Sequence, residues 1–170
     1  MLVLSGTVGV GKTSVGRAIS YLLSQRQVPH ALIDLDWFET FWTQRKDLEQ
    51  NEETLHRNIS AVWQNYRDAG AERLVFCRIV EANAVLDRLT DAVPGARPIV
   101  VWLAAPTDQV LARIRSREAE DPSWFMETSV QVAERVVPED IADHVIHVGE
   151  RTPTQIAEEA LRLTGWGELR

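Results

Sequence analysis

The stretch Gly6-Thr7-Val8-Gly9-Val10-Gly11-Lys12-Thr13 decides how the rest of this chain is read. It fits G-x-x-x-x-G-K-[ST] and lies between an apolar run, Met1-Leu2-Val3-Leu4, and a segment of helical periodicity that starts at Thr13. A strand, a glycine-rich turn and a helix in that order make a phosphate cradle. Gly6, Gly9 and Gly11 let the backbone turn tightly and bring its N–H groups up to phosphate oxygens, because glycine takes positive φ at no steric cost and carries no Cβ. The loop backbone, Val8 and Val10 included, would wrap the phosphates and Lys12 would reach the β and γ groups. Thr13 would offer its hydroxyl to Mg²⁺ and Ser14 would touch the α-phosphate, with the positive end of the helix dipole facing all of them.

Outward from that loop the chain alternates strands and helices. Val15, Ala18, Ile19, Leu22 and Leu23 predict a helix from Thr13 to about Gln27, stopped before Pro29. Ala31-Leu32-Ile33 reads as a second strand ending in Asp34-Leu35-Asp36. The polar run from Thr43 to Glu53 is expected to be a solvated connection or an exposed helix face. Leu55, Ile59, Val62, Trp63 and Tyr66 give a helix ended near Gly70, and Leu74 to Cys77 a third strand. Val85, Leu86 and Leu89 mark the next helix, and the continuous apolar run from Ile99 to Leu103 a strand covered on both faces. A helix from about Thr107 to Glu118, an irregular stretch through Asp121-Pro122-Ser123 and a helix near Thr128 to Val136 follow. The last strand is His144 to Val148, and Thr152-Pro153-Thr154-Gln155 is a capping box that opens the final helix.

Five such steps predict an α/β chain, a three-layer α/β/α fold with a five-stranded, mainly parallel sheet. At 170 residues it is expected to be a single domain, 1–170, with a short lid at about 118–127. Net charge is −7, which opposes nucleic-acid binding, and no apolar run approaches a membrane span. The lone cysteine, Cys77, excludes an intrachain disulfide and suits a reducing compartment, so the expected location is cytoplasmic and the expected state a monomer or homodimer. The four histidines show no metal spacing.

Ligands of parallel sheets sit outside the carboxyl ends of the strands. The polar groups fall there: the glycine-rich loop after the first strand, Asp34 and Asp36 after the second, Arg78 and Glu81 after the third. Phosphoryl transfer needs positive charge around the γ-phosphate, a metal, and a group that positions or deprotonates the acceptor. Lys12 and Thr13 answer the first two needs. Asp36 is the candidate for the third, with Asp34 reaching toward Mg²⁺ directly or through water. Arg78 would clamp an anionic group of the acceptor. Trp37, Phe38, Phe41 and Trp42 form an aromatic cluster that either faces the acceptor or fills core.

The glycine-rich loop followed by Asp34-Leu35-Asp36 resembles the P-loop small-molecule kinases, such as shikimate, gluconate and adenylylsulfate kinases and chloramphenicol phosphotransferase. The resemblance implies ATP and Mg²⁺ as cofactors, transfer of the γ-phosphoryl group to a hydroxyl of a small-molecule acceptor, and metal or acceptor roles for Asp34 and Asp36. Arg113-Ile114-Arg115-Ser116-Arg117 is similar to the R-I-x-x-R that opens the adenylate kinase lid. That likeness implies that Arg113 packs on adenine and Arg117 meets phosphates; Arg113 and Arg117 share a helical face and Arg115 does not. Two departures stand out. The third strand ends in Cys77-Arg78 where many P-loop enzymes carry an acidic metal ligand, which leaves ligation to Thr13, Asp34 or Asp36, with Glu81 as an outside candidate. The stretch Glu118 to Met126 is too short for a lid domain of the adenylate kinase type. No N-K-x-D motif supports a GTPase switch, and Leu74-Val75-Phe76-Cys77-Arg78 lacks the Asp-Glu ending of mechanical AAA-type ATPases. A nucleoside or nucleotide kinase and a non-catalytic ATP-binding regulator are the alternatives.

Overall fold

Successive side chains of a strand face opposite sides of its sheet, and in β1 (Leu2–Ser5) all four residues are buried. Leu2 and Leu4 join one core cluster and Val3 the other. The structure, a computed structural model, describes residues 1–38, 48–117 and 121–166, without the side chains of 48–51. The same alternation runs through β3 (Arg73–Cys77), with Val75 and Cys77 on the Leu2 side and Leu74 and Phe76 opposite. In β4 (Ile99–Ala104), Val101 and Leu103 oppose Val100. These runs are continuously apolar because helices cover both faces.

With β2 (His30–Asp34) and β5 (His144–His147) the sheet has the order β2-β3-β1-β4-β5, and every pairing is parallel. On the Leu2 face lie α1 (Lys12–Gln25) and α6 (Pro153–Thr164), packed against each other. On the Val3 face lie α2 (Leu48–Asp68), through Leu55, Ile59 and Trp63, and α3 (Asn83–Asp91), through Leu89. Val132 of α5 (Ser123–Arg135) covers Trp102 of β4. α4 (Thr107–Arg117) packs beside α5 and buries Val110 and Ile114. The connection from β1 to β2 runs one way along the sheet and those from β2, β3 and β4 the other, so α1 lies on one face and α2, α3 and α5 on the other, as right-handed crossovers require.

This topology fixes where a ligand goes. β1 and β3 are neighbours whose following connections leave in opposite directions, so the crevice between their carboxyl ends is the switch point of the sheet. Two hydrogen bonds close its floor. Arg78 N donates to Leu4 O at 3.1 Å, and Val80 N donates at 2.9 Å to the hydroxyl of Ser5, which is wholly buried.

α2 begins at Leu48, inside the polar run, so from residue 48 on that run is helix, one of its two readings; the part before residue 48 lies outside the described residues. One expected boundary is corrected. α5 begins at Ser123, five residues before the expected start, so the second half of the short lid, 123–127, is helix. The cause is local: the Asp121 carboxylate accepts from Ser123 N at 2.9 Å and from the Ser123 hydroxyl, while Pro122, which has no N–H to satisfy, leads into the first turn. Residues 118–120 lie outside the described residues. The final helix starts as its sequence predicts: Gln155 N donates to Thr152 Oγ1 at 3.3 Å and Thr152 N to Gln155 Oε1 at 2.9 Å.

Candidate active site

The glycine-rich loop turns between β1 and α1 through three glycines of positive φ, each for its own reason. A Cβ on Gly6 (φ 134°) would stand 2.5 Å from Leu103 O, and one on Gly9 (φ 79°) 2.6 Å from Ile114 Cγ1. A Cβ on Gly11 (φ 113°) would meet nothing within 4 Å, because that side opens onto the cleft. Gly6 therefore serves the close approach of loop to β4 and does not line the cleft, whereas Val8, Gly9, Val10, Gly11, Lys12, Thr13 and Ser14 do.

Lys12 is buried, with its ammonium donating to Gly6 O at 3.1 Å and Thr7 O at 3.0 Å. Burial pulls its pKa below the ordinary lysine value; Asp36, Cys77 and Asp34 oppose that shift, and Arg117 adds to it. Thr13 Oγ1 donates to Asp34 Oδ2 at 2.6 Å, and Asp34 Oδ1 accepts from Asp36 N at 3.3 Å. One carboxylate thus ties the first turn of α1 to the 3-10 turn Leu35–Trp37 that carries Asp36. Asp34 stands behind Thr13, and exposed Asp36 lines the cleft.

The cleft is large, about 880 Å³, and collects residues from six separated segments. Arg78, Ile79 and Glu81 follow β3. Arg113 and Arg117 descend from α4, while Arg115 is not among the lining residues. Arg113 bridges two loops, donating to Val10 O at 3.4 Å and to Gly149 O at 3.2 Å. Val148 and Arg151 come from the loop after β5, Pro153 and Ile156 from the first turn of α6, and Trp124, Phe125 and Thr128 from α5. α5 is latched to the glycine-rich loop, because the buried Ser129 hydroxyl donates to Val8 O at 3.2 Å.

Sequence reasoning placed Trp37 in the acceptor site, and the structure does not bring it there: Trp37 is 75% exposed and absent from the cleft wall. The reason is geometric, since the 3-10 turn puts Asp36 and Trp37 on different sides. Phe38 packs against the α2–α3 core, and Phe41 and Trp42 lie outside the described residues. Sequence reasoning missed Ile79, Thr128, Ser129 and the stretch from Val148 to Pro153. The rule that ligands gather at strand carboxyl ends, applied to β5, would have found the last; nothing local marks Ser129.

Cys77 ends β3 where an acidic metal ligand was sought. Its thiol is buried against α1, with Sγ 3.4 Å from Lys12 O, and burial first, then Asp34, pushes its pKa up to about 12. It is a packing residue. The oxygen donors suited to a hard cation are Thr13 and Asp34, and among the described residues no cluster of three or more His, Cys, Asp or Glu stands ready to cage a metal. A hydroxyl and a carboxylate suit Mg²⁺, which takes one or two carboxylates and completes its shell with water and phosphate.

Residues 2–141 match the model of the AAA domain family. No curated protein matches the sequence. Among solved structures, a sugar kinase from a Janibacter species is similar at 17% identity and TM-score 0.67, covering 96% of this chain and 93% of its own. A gluconokinase from Sinorhizobium meliloti is similar at 21% identity and TM-score 0.61, over 98% and 92% of the two chains. The adenylylsulfate kinase of Mycobacterium tuberculosis, solved with AMPPNP and adenylylsulfate, is similar at 17% identity and TM-score 0.65, over 96% of each.

Proposed function

The chain belongs to the AAA domain family and has the fold of the P-loop small-molecule kinases, and from that premise we propose that it is a kinase transferring the γ-phosphoryl group of ATP to a hydroxyl of a small-molecule acceptor. The observation that carries this reading is the convergence of Lys12, Thr13, Asp36, Arg113 and Arg117 on one cleft at the switch point of the sheet. The loop amides and Lys12 hold the β and γ phosphates, and Arg117 adds a second cation from the opposite wall. Arg113, fixed between the glycine-rich loop and the loop after β5, faces the adenine side. Thr13 and Asp34 would hold Mg²⁺: with its proton donated to Asp34, the Thr13 hydroxyl turns lone pairs outward. Bound there, the metal would supply charge neutralisation across the β and γ phosphates.

Asp36 receives the proton of the acceptor hydroxyl as the new O–P bond forms and the bond from γ-phosphorus to the β,γ-bridging oxygen breaks, with ADP as leaving group. Positioning and charge stabilisation do most of this work, so the site needs no covalent intermediate.

The test is ADP release from Mg-ATP by wild type, Lys12→Ala and Asp36→Asn, with pools of hydroxylated metabolites, antibiotics and nucleosides. Acceptor-dependent release should fall about 100-fold or more in each variant, while Asp36→Asn still binds nucleotide. Release that no pool stimulates, with ATP bound by wild type and Asp36→Asn alike, would favour a nucleotide-sensing protein. Near-normal turnover by Lys12→Ala would sink the loop assignment.

A further inference from the structure

Arg78 belongs to two cavities. It lines the main cleft, and it also lines a cavity of about 330 Å³ between α2 and α3. Arg78 is thus a wall common to the second cavity and to the cleft that Asp36 lines. Its described wall is apolar at the bottom, where Leu55, Ile59 and Leu89 are buried and Val85 is half-buried. Charges at its rim are matched: Arg88 pairs with Glu52, and Glu53 lies 4.0 Å from Arg57 in the same helix.

A second apolar surface faces the cleft from the lid side. Trp124 and Phe125, in the first turn of α5, line the cleft in an edge-to-face pair with centroids 5.0 Å apart and planes at 83°. Trp124 is 65% exposed, an uncommon setting for so large an aromatic unless something covers it. Across the acceptor side the described carboxylates are Asp36, Glu81, Glu52 and Glu53 and the arginines Arg78 and Arg88, with Arg57 against Glu53, so this side carries no surplus of positive charge to draw in an anion.

Resting on the kinase reading above, we infer that the acceptor is an amphipathic alcohol: a hydroxyl presented to Asp36 on an uncharged molecule whose aryl or acyl body passes Arg78 into the α2–α3 cavity. A polyhydroxy acid or a nucleoside monophosphate would leave the Leu55–Ile59–Leu89 floor wet and would bring negative charge to a rim whose arginines are already matched by carboxylates. An apolar body removes that floor from water and lies under the Trp124–Phe125 pair.

The experiment compares phenylpropanediol, D-gluconate and AMP as ligands by calorimetry in the presence of Mg-ADP, and as acceptors by ADP release from Mg-ATP. Val85→Asp places a charge on the cavity wall, and Val85→Thr, nearly the same in shape, guards against misfolding of the first. Phenylpropanediol should bind most tightly. Its Kd should rise about 10-fold or more in Val85→Asp and by a smaller factor in Val85→Thr, with ADP affinity unchanged in both. Tighter binding of gluconate or AMP, no binding of the diol, or a diol Kd indifferent to Val85→Asp would each overturn the inference. Phosphorylation of gluconate or AMP but not the diol overturns it while the kinase reading stands. Val85-dependent diol binding, with no compound phosphorylated by wild type, keeps the ligand class and counts against the kinase reading.

Discussion

Replacing Gly16 by alanine tests whether the seating of α1 on β3 holds the catalytic groups in register. A Cβ at Gly16 would stand 2.6 Å from Cys77 Sγ and 3.1 Å from Leu32 Cδ1, whereas unstrained contacts begin near about 3.5 Å. α1 must therefore move off β3 by roughly 1 Å, and overpacking of this kind costs about 1–3 kcal/mol. Alanine in a helix interior returns about 1 kcal/mol relative to glycine. The net loss is then about 0–2 kcal/mol. Nucleotide affinity should fall as well, because the same displacement carries Thr13 away from Asp34, now bonded at 2.6 Å. The assay is a double-mutant cycle with Cys77→Ala, read by urea denaturation and by binding of a fluorescent ADP. Removing Sγ makes room for the new methyl, so the cycle should show a favourable coupling of about 1–3 kcal/mol, and the double variant should regain nucleotide affinity. A single Gly16→Ala variant about 1 kcal/mol more stable than wild type, the value of helix propensity alone, would refute the reasoning, as would a cycle without coupling.

Burial lowers the Lys12 pKa, and a base so shifted destabilises the fold fully below its folded-state pKa, with the penalty fading as pH rises toward the unfolded value. Bound phosphates favour the ammonium, so nucleotide affinity should fall as pH rises through the lowered value and binding there should take up a proton. Calorimetry at alkaline pH in two buffers of different ionisation enthalpy reads that sign, and proton release on binding would contradict it. The Cys77 thiol, buried and with its pKa raised to about 12, should react with iodoacetamide near neutral pH only as fast as the protein opens; labelling at the rate of a free thiol would show the packing to be wrong. Thr152→Ala removes one half of the α6 capping box and should lower stability by about 1 kcal/mol in a urea melt; an unchanged melt would contradict the cap.

The fold was legible wherever one local pattern had a single physical solution. Five apolar runs, each followed by a helical period, could only be stacked as a covered parallel sheet, and the Gly6–Thr13 loop placed phosphates at its edge. Strand order was not legible, because nothing local in β4 says that it pairs with β1. The start of α5 was misread for a different reason: Trp124 and Phe125 stand at the cleft and Met126 beside them, so the apolar spacing of that first turn serves a site as well as a core. Asp36 and Arg78 were found from their places after strands, whereas Trp37 was included by adjacency to Asp36, and adjacency in a 3-10 turn does not mean a shared direction. Ser129 was out of reach, since its bond to Val8 O spans 121 residues.

Cys77 explains why one carboxylate carries so much of this site. An acidic residue at the end of β3 would sit against Gly16 and beneath the backbone of Lys12, where the structure has a thiol wedged at contact distance and shielded from water. A carboxylate buried there would need a cation of its own, and Lys12 already gives two of its three ammonium hydrogens to Gly6 and Thr7. With β3 contributing only packing, the work of orienting an oxygen shell moves across the sheet edge to β2. Asp34 can do this because its two oxygens point to different partners, the Thr13 hydroxyl on one side and the amide of Asp36 on the other. The placement of the Thr13 hydroxyl and of the Asp36 backbone are thus set by the same carboxylate, and a shift of β2 relative to α1 would move the proposed metal-facing and acceptor-facing groups together.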